Sequence, residues 1–573
     1  MTPRASLAES SAAPRTRHPT WNRVKARASL ALLALFVLMA TTATAQPTAD
    51  PSEPRFDILE FVIEGDTLLG TATIERTVYP FLGPGRRAAD AEGARRALQQ
   101  AYQDAGYLSV TVLLPPQRVD GGEVRLQVQQ APVERLKVTG AEHFLPSRIR
   151  EGLPSLAPGS VPQFGQVQHE LAMLAAAAPD RQITPLLAPG SRPGTLAVEL
   201  KVEDQLPIHG AVEINSKHAQ NTVRGRVEAA VSHDNLFQRH HSLDANWFVA
   251  PSDPKQANIL SLLYSLPLGG PGDRLSLAYT FSDSDTPTPL GGLTVSRGDT
   301  WRLRWRDSLA APDGVRHALT WGLTRRNLQD RNVEVAGFST ESPSLVYPTL
   351  HLDYELTITG TLQGRETRLN AGLVASLPGL SSRSVDCFGT QLDQFRCKRA
   401  ASSARFQVLT FSAGHREPLG PGADGWLLEV QAQGQFSDAP LPSSEQVVFG
   451  GTDSVRGYFE GEQAGDIGLA VRAELSAPRW KLRDGLSLRL LGFIDRGGLR
   501  RLYALPAEDP TVVLGSSGFG LRVDTRFGLS AMLDWAYLQH DTTRLDRFGA
   551  PEPLSGAAAS RTQRWELAVR QRF

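Results

Sequence analysis

The strongest constraint on this chain is a two-residue hydrophobic period that runs from Ile208 to the C-terminus. In the closing segment RWELAVRQRF, Trp565, Leu567, Val569 and Phe573 fall on one face, and Arg564, Glu566, Arg570 and Arg572 on the other. Trp426, Leu428, Val430, Ala432 and Phe436 alternate in the same way with Glu429, Gln431, Gln433 and Gln435. Ile467, Leu469, Val471, Ala473 and Leu475 are set against Arg472 and Glu474. Side chains alternate across a strand, so each run describes a strand with one apolar and one polar face. A soluble sandwich alternates too, but its strands average about five or six residues and its polar face meets bulk water. Runs of roughly nine to thirteen residues with charge on the second face fit a lipid-facing wall around a wet lumen.

Sixteen such segments begin near residues 208, 222, 241, 257, 273, 298, 314, 345, 365, 403, 425, 467, 485, 516, 529 and 563. Connections after even segments are short, as at Pro267–Gly272 and Phe527-Gly528, and several after odd segments are long, as at Pro378–Ala401 and Ser437–Asp466. Short inner turns and long outer loops belong to outer-membrane barrels, which have an even strand number. Composition agrees. A mean hydropathy of −0.23 is too polar for a chain of many membrane helices. Sixty Lys+Arg against sixty Asp+Glu leave no net basic field to attract nucleic acid.

Arg15, Arg17, Arg23, Lys25 and Arg27 precede the apolar run Ala28–Ala40, and Ala43-Thr44-Ala45 supplies a small-residue cleavage site. Residues 1–45 therefore read as a signal peptide, with Gln46 the first mature residue and 46–55 a short linker. The next 150 or so residues read twice as β-α-α-β-β. In the first unit, 56–130, a bulged edge strand Phe56–Gly65 precedes a short helix Thr71–Leu82 and a better one capped by Asp90 and stopped by Gly106. Strands Tyr107–Leu114 and Glu123–Gln129 flank the turn Asp120-Gly121-Gly122. In the second unit, 131–205, strand Val133–Thr139 leads to helices Pro146–Leu153 and Phe164–Ala178 and strands Arg181–Leu187 and Thr195–Val202. The fold class expected is a transmembrane β-barrel of about 16 antiparallel strands (206–573) behind two small α+β domains.

Gly450-Gly451-Thr452-Asp453-Ser454-Val455-Arg456-Gly457-Tyr458 resembles the VRG(F/Y) loop motif of the bacterial outer-membrane assembly and secretion superfamily, and Phe493-Ile494-Asp495-Arg496-Gly497 resembles its F-x-D-x-G strand motif. FVIEGDTLL (61–69) and AYQDAGYLSVTVLLPPQ (101–117) are similar to POTRA domains, the second unit being of ShlB type. NTVRGRVEAAVSHDNLFQRHHSLDANW (221–247) resembles the barrel start of ShlB/FhaC/HecB-type proteins, the TpsB transporters of two-partner secretion. The resemblance covers nearly the whole mature chain.

It implies a bacterial outer-membrane transporter that secretes, and in some relatives activates, a TpsA-like partner exoprotein such as a haemolysin or adhesin. POTRA domains in the periplasm would bind the passenger and the barrel would conduct it. An outer-membrane assembly or insertion factor is the alternative, then a passive pore. Lipid and the barrel-assembly machinery are the other partners. Phe573 would be the assembly signal. No cofactor, metal or nucleic acid is implied.

Alternation on segment 485–495 puts Leu486, Leu488, Leu490 and Ile494 on one face and Arg489, Phe493 and Asp495 on the lumen side. Loop 437–466 can then fold inward and place Arg456 on Asp495, a directional bidentate pair. Val455, Gly457 and Tyr458 complete the latch loop, Phe493, Gly497 and Asp495 its wall, with Glu474 and Arg472 as further members. Some relatives plug the pore with an N-terminal helix, and the Pro-rich stretch 46–55 has no room for one. Cys387 and Cys397, in the loop between the ninth and tenth strands, are expected to form a disulfide in an oxidising compartment. His233, Asp234, His240 and His241 read as solvated turn residues rather than a metal cluster, and no catalytic constellation stands out.

Overall fold

In a computed structural model, the described residues run from Pro54 to Phe573. They omit 66–67, 220–221, 271, 285–286, 289–291, 294–296, 330–332, 336–337, 341–342, 361–363, 388, 421–423, 484, 505–508, 541, 546–550 and 554–561. The expected signal peptide 1–45 and most of the expected linker 46–55 lie outside them.

The chain divides into two compact units, Met1–Gln130 and Ala131–Phe573. In the first, β1 (Phe56–Ile58) and β2 (Glu60–Glu64) are followed by α1 (Thr71–Val78), β3 (Gly83–Arg86), α2 (Ala88–Asp104), β4 (Thr111–Leu113) and β5 (Glu123–Gln129). The expected bulge is a full break at Leu59. β1 pairs with β3, and β2 lies parallel to β5 in a sheet of order β2-β5-β4. Asp90 is not the N-cap of α2. It sits one turn inside, where its carboxylate accepts the Arg87 amide at 2.8 Å. Ala91, Ala94, Leu98 and Tyr102 form the buried stripe of that helix, at the spacing of one helical face.

The second unit opens with its own α+β module: β6 (Val133–Thr139), α3 (Pro146–Glu151), α4 (Phe164–Ala177), β7 (Arg181–Pro189) and β8 (Leu196–Asp204). β6 and β8 are parallel, β7 is antiparallel to β8, and the order is β6-β8-β7. Leu136, Phe144, Ile149, Leu153, Leu174 and Leu200 pack into one core.

Sixteen antiparallel strands then close a barrel: β9 (Ile208–Asn215), β10 (Arg226–Leu236), β11 (His241–Val249), β12 (Ala257–Pro267), β13 (Arg274–Ser284), β14 (Arg297–Leu309), β15 (Val315–Gln329), β16 (Leu345–Thr359), β17 (Glu366–Ser376), β18 (Gln407–Leu419), β19 (Trp426–Ser437), β20 (Ile467–Ser476), β21 (Leu486–Arg500), β22 (Thr511–Thr525), β23 (Leu529–Leu538) and β24 (Gln563–Arg572). The second strand starts at Arg226 rather than near 222, the tenth at Gln407 rather than near 403, and the fourteenth at Thr511 rather than near 516. Closure pairs β24 with β9 in the register Ala568↔Asn215 to Arg572↔Ala211. Gly210 and Phe573 exchange both backbone hydrogen bonds, at 2.8 and 3.0 Å. A Cβ at Gly210 would lie 2.2 Å from the Phe573 ring as it stands, so the ring packs directly over this glycine.

The two faces separate as the alternation requires. Trp247, Trp301, Trp321, Ile494, Phe519 and Trp565 point outward and are exposed in the isolated chain. Each such side chain gains about 1.5–3 kcal/mol on leaving water, which the bilayer supplies in place of a core. The inward face carries the charges.

Candidate functional site

The long connection between β19 and β20 turns back into the lumen. Gly450 and Gly451 have φ of +116° and +97°, and Gly457 has +86°, values that L side chains rarely adopt. At Gly457 space is also short: a Cβ would come 2.7 Å from the Ala536 Cβ. The Ser454 hydroxyl accepts the Gly450 amide at 2.8 Å and holds the turn closed.

This folding brings Arg456 to the wall. Its Nε donates to Asp495 Oδ2 at 2.8 Å and its Nη2 to Asp495 Oδ1 at 2.9 Å, a planar bidentate pair. The Arg456 backbone amide donates to the same carboxylate at 3.1 Å. Nη1 donates to Glu474 Oε2 at 2.9 Å and lies 3.7 Å from Asp534 Oδ2. The guanidinium stacks on the Phe493 ring, 3.6 Å from its centroid. Arg456 and Asp495 are 1% and 0% exposed, so both ions have left water and rely on each other. Removing one partner of such a pair typically costs about 3–5 kcal/mol, because the other is stranded.

The rest of the tip is held as firmly. Val455 is buried against the wall; a Cβ at Gly497 would stand 3.0 Å from its Cγ2. Gly457 donates its amide to Glu566 at 2.9 Å. The Tyr458 hydroxyl reaches the His540 carbonyl at 2.7 Å and accepts the Gly515 amide at 3.2 Å. Val455, Tyr458, Phe449, Leu499, Leu514 and Leu538 form an apolar cluster inside the lumen. Arg472 and Arg522 flank the latch, at 3.8 Å from Asp495 and paired with Asp534 respectively. All eight residues Val455, Arg456, Gly457, Tyr458, Asp495, Phe493, Gly497 and Glu474 therefore lie in one cluster. Asp534, Gly515 and His540, from the strands and loop beyond, complete it. Their only sequence signal is a lone polar group on an otherwise apolar strand, as with Asp534 in MLDWAYL.

Two further clamps grip the roots of the loop. Asp466 is 0% exposed and takes a bidentate pair from Arg399, at 2.5 and 3.0 Å, plus the amides of Leu441 and Leu502. Glu445 pairs with Arg326 and accepts the Tyr347 hydroxyl at 2.6 Å. Arg399 belongs to the β17–β18 connection. There a hairpin of Ser384–Cys387 with Thr390–Asp393 and a helical turn Gln394–Lys398 are closed by a Cys387–Cys397 disulfide. Phe395 and Phe406 of that connection pack on Tyr347 and Leu441.

Phe573 ends β24 on the lipid side, at the short-turn end. The turn 237–240 is exposed at Phe237 and Arg239, whereas Gln238 and His240 are half-buried. Phe237, Gln238 and His240 have φ near +58°, and the strained turn docks on the preceding α+β module. Gln238 accepts the Leu145 amide at 3.0 Å and donates to the His143 carbonyl at 2.9 Å, while His240 lies beside the Phe144 ring. The histidines do not converge: His233 accepts the Asn235 amide and His241 contacts the Tyr264 hydroxyl.

Residues 353–523 match the family described as haemolysin secretion/activation protein ShlB/FhaC/HecB. Residues 56–130 match the POTRA domain, ShlB-type. Outer membrane transporter CdiB of Escherichia coli O6:K15:H31 (strain 536 / UPEC) is 25% identical over 474 residues, spanning 80% of this chain and 76% of that protein. Outer membrane transporter CdiB of Dickeya dadantii (strain 3937) is 23% identical over 506 residues, 85% of each chain. The fold superposes on the structure of CdiB from Escherichia coli with a TM-score of 0.59, at 20% identity over 96% of this chain and 98% of that one. The chain thus belongs to the ShlB/FhaC/HecB-type TpsB family: a two-partner-secretion transporter of the outer membrane, with its POTRA portion in the periplasm, that secretes a partner exoprotein.

Proposed function

We propose that the inward loop is the movable stopper of this transporter, and that the Arg456–Asp495 pair sets how often it moves. The observation that carries this is chemical. The tip is fixed only by hydrogen bonds, ion pairs and a small apolar cluster, with no strand of the barrel wall passing through it. A passenger needs the lumen, so the tip must leave Asp495 while the wall stays intact. The periplasm holds no ATP, and folding of the passenger outside supplies the drive. The root clamps at Asp466 and Glu445 keep the loop tethered during that excursion.

The α+β modules would receive the TpsA-like passenger, and their free sheet edges differ as docking sites. In β7, Pro185 and Pro189 lack amide donors, which blunts that edge against an added strand. β2 and β6 carry no proline, and among the described residues no strand covers their outer edges. Pairing there offers backbone hydrogen bonds to an extended chain with little demand on its sequence.

Two experiments test these readings. Photo-crosslinkers at Glu60, Glu64, Arg135 and Lys137 are expected to capture the passenger during export, and crosslinkers at 183–187 are not. The reverse pattern would move docking to β7. Arg456→Ala in a barrel that assembles normally is expected to alter passenger export. Export at the wild-type level would remove the latch from the mechanism.

A further inference from the structure

The lumen is not uniformly neutralised. β14 turns Arg302, Arg304 and Arg306 inward, opposite Thr324, Gly322 and Thr320 of β15. Arg306 pairs with Glu355, and Arg326, further along β15, pairs with Glu445. Arg302 and Arg304, between those two pairs, have no hydrogen bond or ion pair to any described residue. Gly322 makes room for them: a Cβ there would stand 3.3 Å from both the Arg304 Cγ and the His351 Cβ. Around the barrel on β24, Arg570 and Arg572 also lack a side-chain partner among the described residues, and the Arg570 Nε is buried without one.

These four guanidiniums line a single cavity of about 890 Å³ in which Asp244 is the one acidic side chain among the described residues. It occupies the periplasmic half of the lumen, since β9 and β13 begin there and β14 and β24 end there. Its other lining residues include the small hydroxyl side chains Ser232, Ser261, Ser276 and Thr280, together with His209 and Asn246. Four like charges in a low-dielectric, concave wall repel one another and concentrate anions from solution. Rings of arginine select anions in pores by the same attraction. Asp353 stands near Arg304, and Glu213 lies opposite Arg570, yet neither forms an ion pair with these arginines among the described residues.

We propose that this vestibule is an anion-binding entry site that takes the carboxylate side chains of the passenger as it threads from the periplasm toward the latch. The inference rests on the export reading for the identity of its ligand, but the anion preference does not. Carboxylates bind the planar guanidinium fork in pairs, so an acidic stretch of extended chain can be handed from Arg570 and Arg572 to Arg302 and Arg304. Each contact stays solvated and weak enough to release, as a conduit requires.

The test uses the purified full-length protein in planar bilayers under a KCl gradient, with hexaglutamate as the probe. The wild type is expected to be anion-selective and to be blocked by hexaglutamate added on the periplasmic side, but not by hexalysine. Replacing all four arginines (Arg302→Gln, Arg304→Gln, Arg570→Gln, Arg572→Gln) is expected to move the reversal potential toward the cation side and weaken the block roughly tenfold. Should the fourfold variant fail to fold, Arg302→Gln/Arg304→Gln alone serves, with a smaller shift. A cation-selective wild type, or an unchanged reversal potential in the variant, overturns the proposal. Inorganic phosphate blocking as well as hexaglutamate would show a small-anion site and overturn the passenger assignment. In cells, passenger display that survives deletion of the whole gene would refute export itself. Display that needs the gene but ignores the fourfold variant would refute only this inference.

Discussion

Two walls of the same lumen treat charge in opposite ways. On the latched wall, built from β20 to β24, Arg456, Arg472 and Arg522 are met by Glu474, Asp495 and Asp534. On the facing wall of β14 and β15, the arginines at the two ends are paired and Arg302 and Arg304 between them are not. A buried ion pair contributes little net stability but fixes geometry, because breaking it strands a charge. An unpaired guanidinium in a wet cavity fixes nothing and waits for a ligand. One wall holds a piece of this chain in place, and the other is free to hold a piece of another.

The largest expected effect follows from attacking the latched wall. Asp495→Ala removes the bidentate partner of Arg456, leaves it only Glu474 and the more distant Asp534, and should cost about 3–5 kcal/mol at the loop tip. Hydrogen exchange of the Arg456 and Gly457 amides should rise accordingly. Arg302→Ala, on the other wall, should leave exchange there unchanged. Equal effects from the two substitutions would dissolve the contrast.

Next in size is the clamp on the loop root. Cys387→Ser/Cys397→Ser removes a short closed loop worth roughly 2–3 kcal/mol in chain entropy. We expect faster proteolysis within 377–406 and looser attachment of Asp466 through Arg399, with the Arg456 contacts intact. Loss of the tip contacts as well would mean that root and tip form one cooperative element.

The periplasmic turn shows a smaller effect, and one that depends on pH. Burial first, then the Arg181 and Arg274 guanidiniums, lowers the pKa of His240. A histidine kept neutral this way contributes stability above its unfolded pKa of about 6.5, and that stability is lost as pH falls below it. Exchange at Leu145, whose amide Gln238 holds, should therefore quicken between pH 7.5 and 5.5. Gln238→Ala should quicken it at both pH values, at about 1 kcal/mol for each hydrogen bond lost.

The smallest effect expected is at Glu134 in β6. The Ser191 hydroxyl, the Thr195 hydroxyl and then the Arg192 amide pull its pKa down to about 2. A depressed carboxylate contributes stability above its unfolded value, and that contribution is lost as pH falls from about 4.5 toward 2. Exchange at Thr195 should respond in that window in the wild type and not in Glu134→Gln.

The barrel was legible in the sequence because a lipid-facing wall imposes one rule on every strand. All sixteen strands lie within a few residues of where alternation places them, including the short-turn and long-loop phase. The errors fall where alternation gives way to local chemistry. Gly83–Arg86 pairs with β1 although its Gly-Pro-Gly start carries no strand signal. Tyr107–Leu114 shrinks to Thr111–Leu113 because Tyr107 and Val110 are spent on turn hydrogen bonds after α2. At the site, the inward side of Asp495 and Glu474 follows from strand phase alone. The approach of Asp534, Gly515 and His540 depends on register across several strands and on one loop, which a single sequence does not encode locally. The root pairs Arg399–Asp466 and Arg326–Glu445 were hidden for the same reason, as their partners are 67 and 119 residues apart.

The central claim, that the loop tip sits against the wall and must leave it for export, can be tested with one engineered cross-link. The Val455 Cγ2 lies 3.0 Å from where a Cβ at Gly497 would be, which suits a disulfide after Val455→Cys and Gly497→Cys in a Cys387→Ser/Cys397→Ser background. The bond is expected to form in the outer membrane, to stop release of the passenger, and to allow it again after reductant. A bond that forms while release continues unchanged would show that the stopper need not move, and a folded barrel in which the bond never forms would show that the tip rests elsewhere.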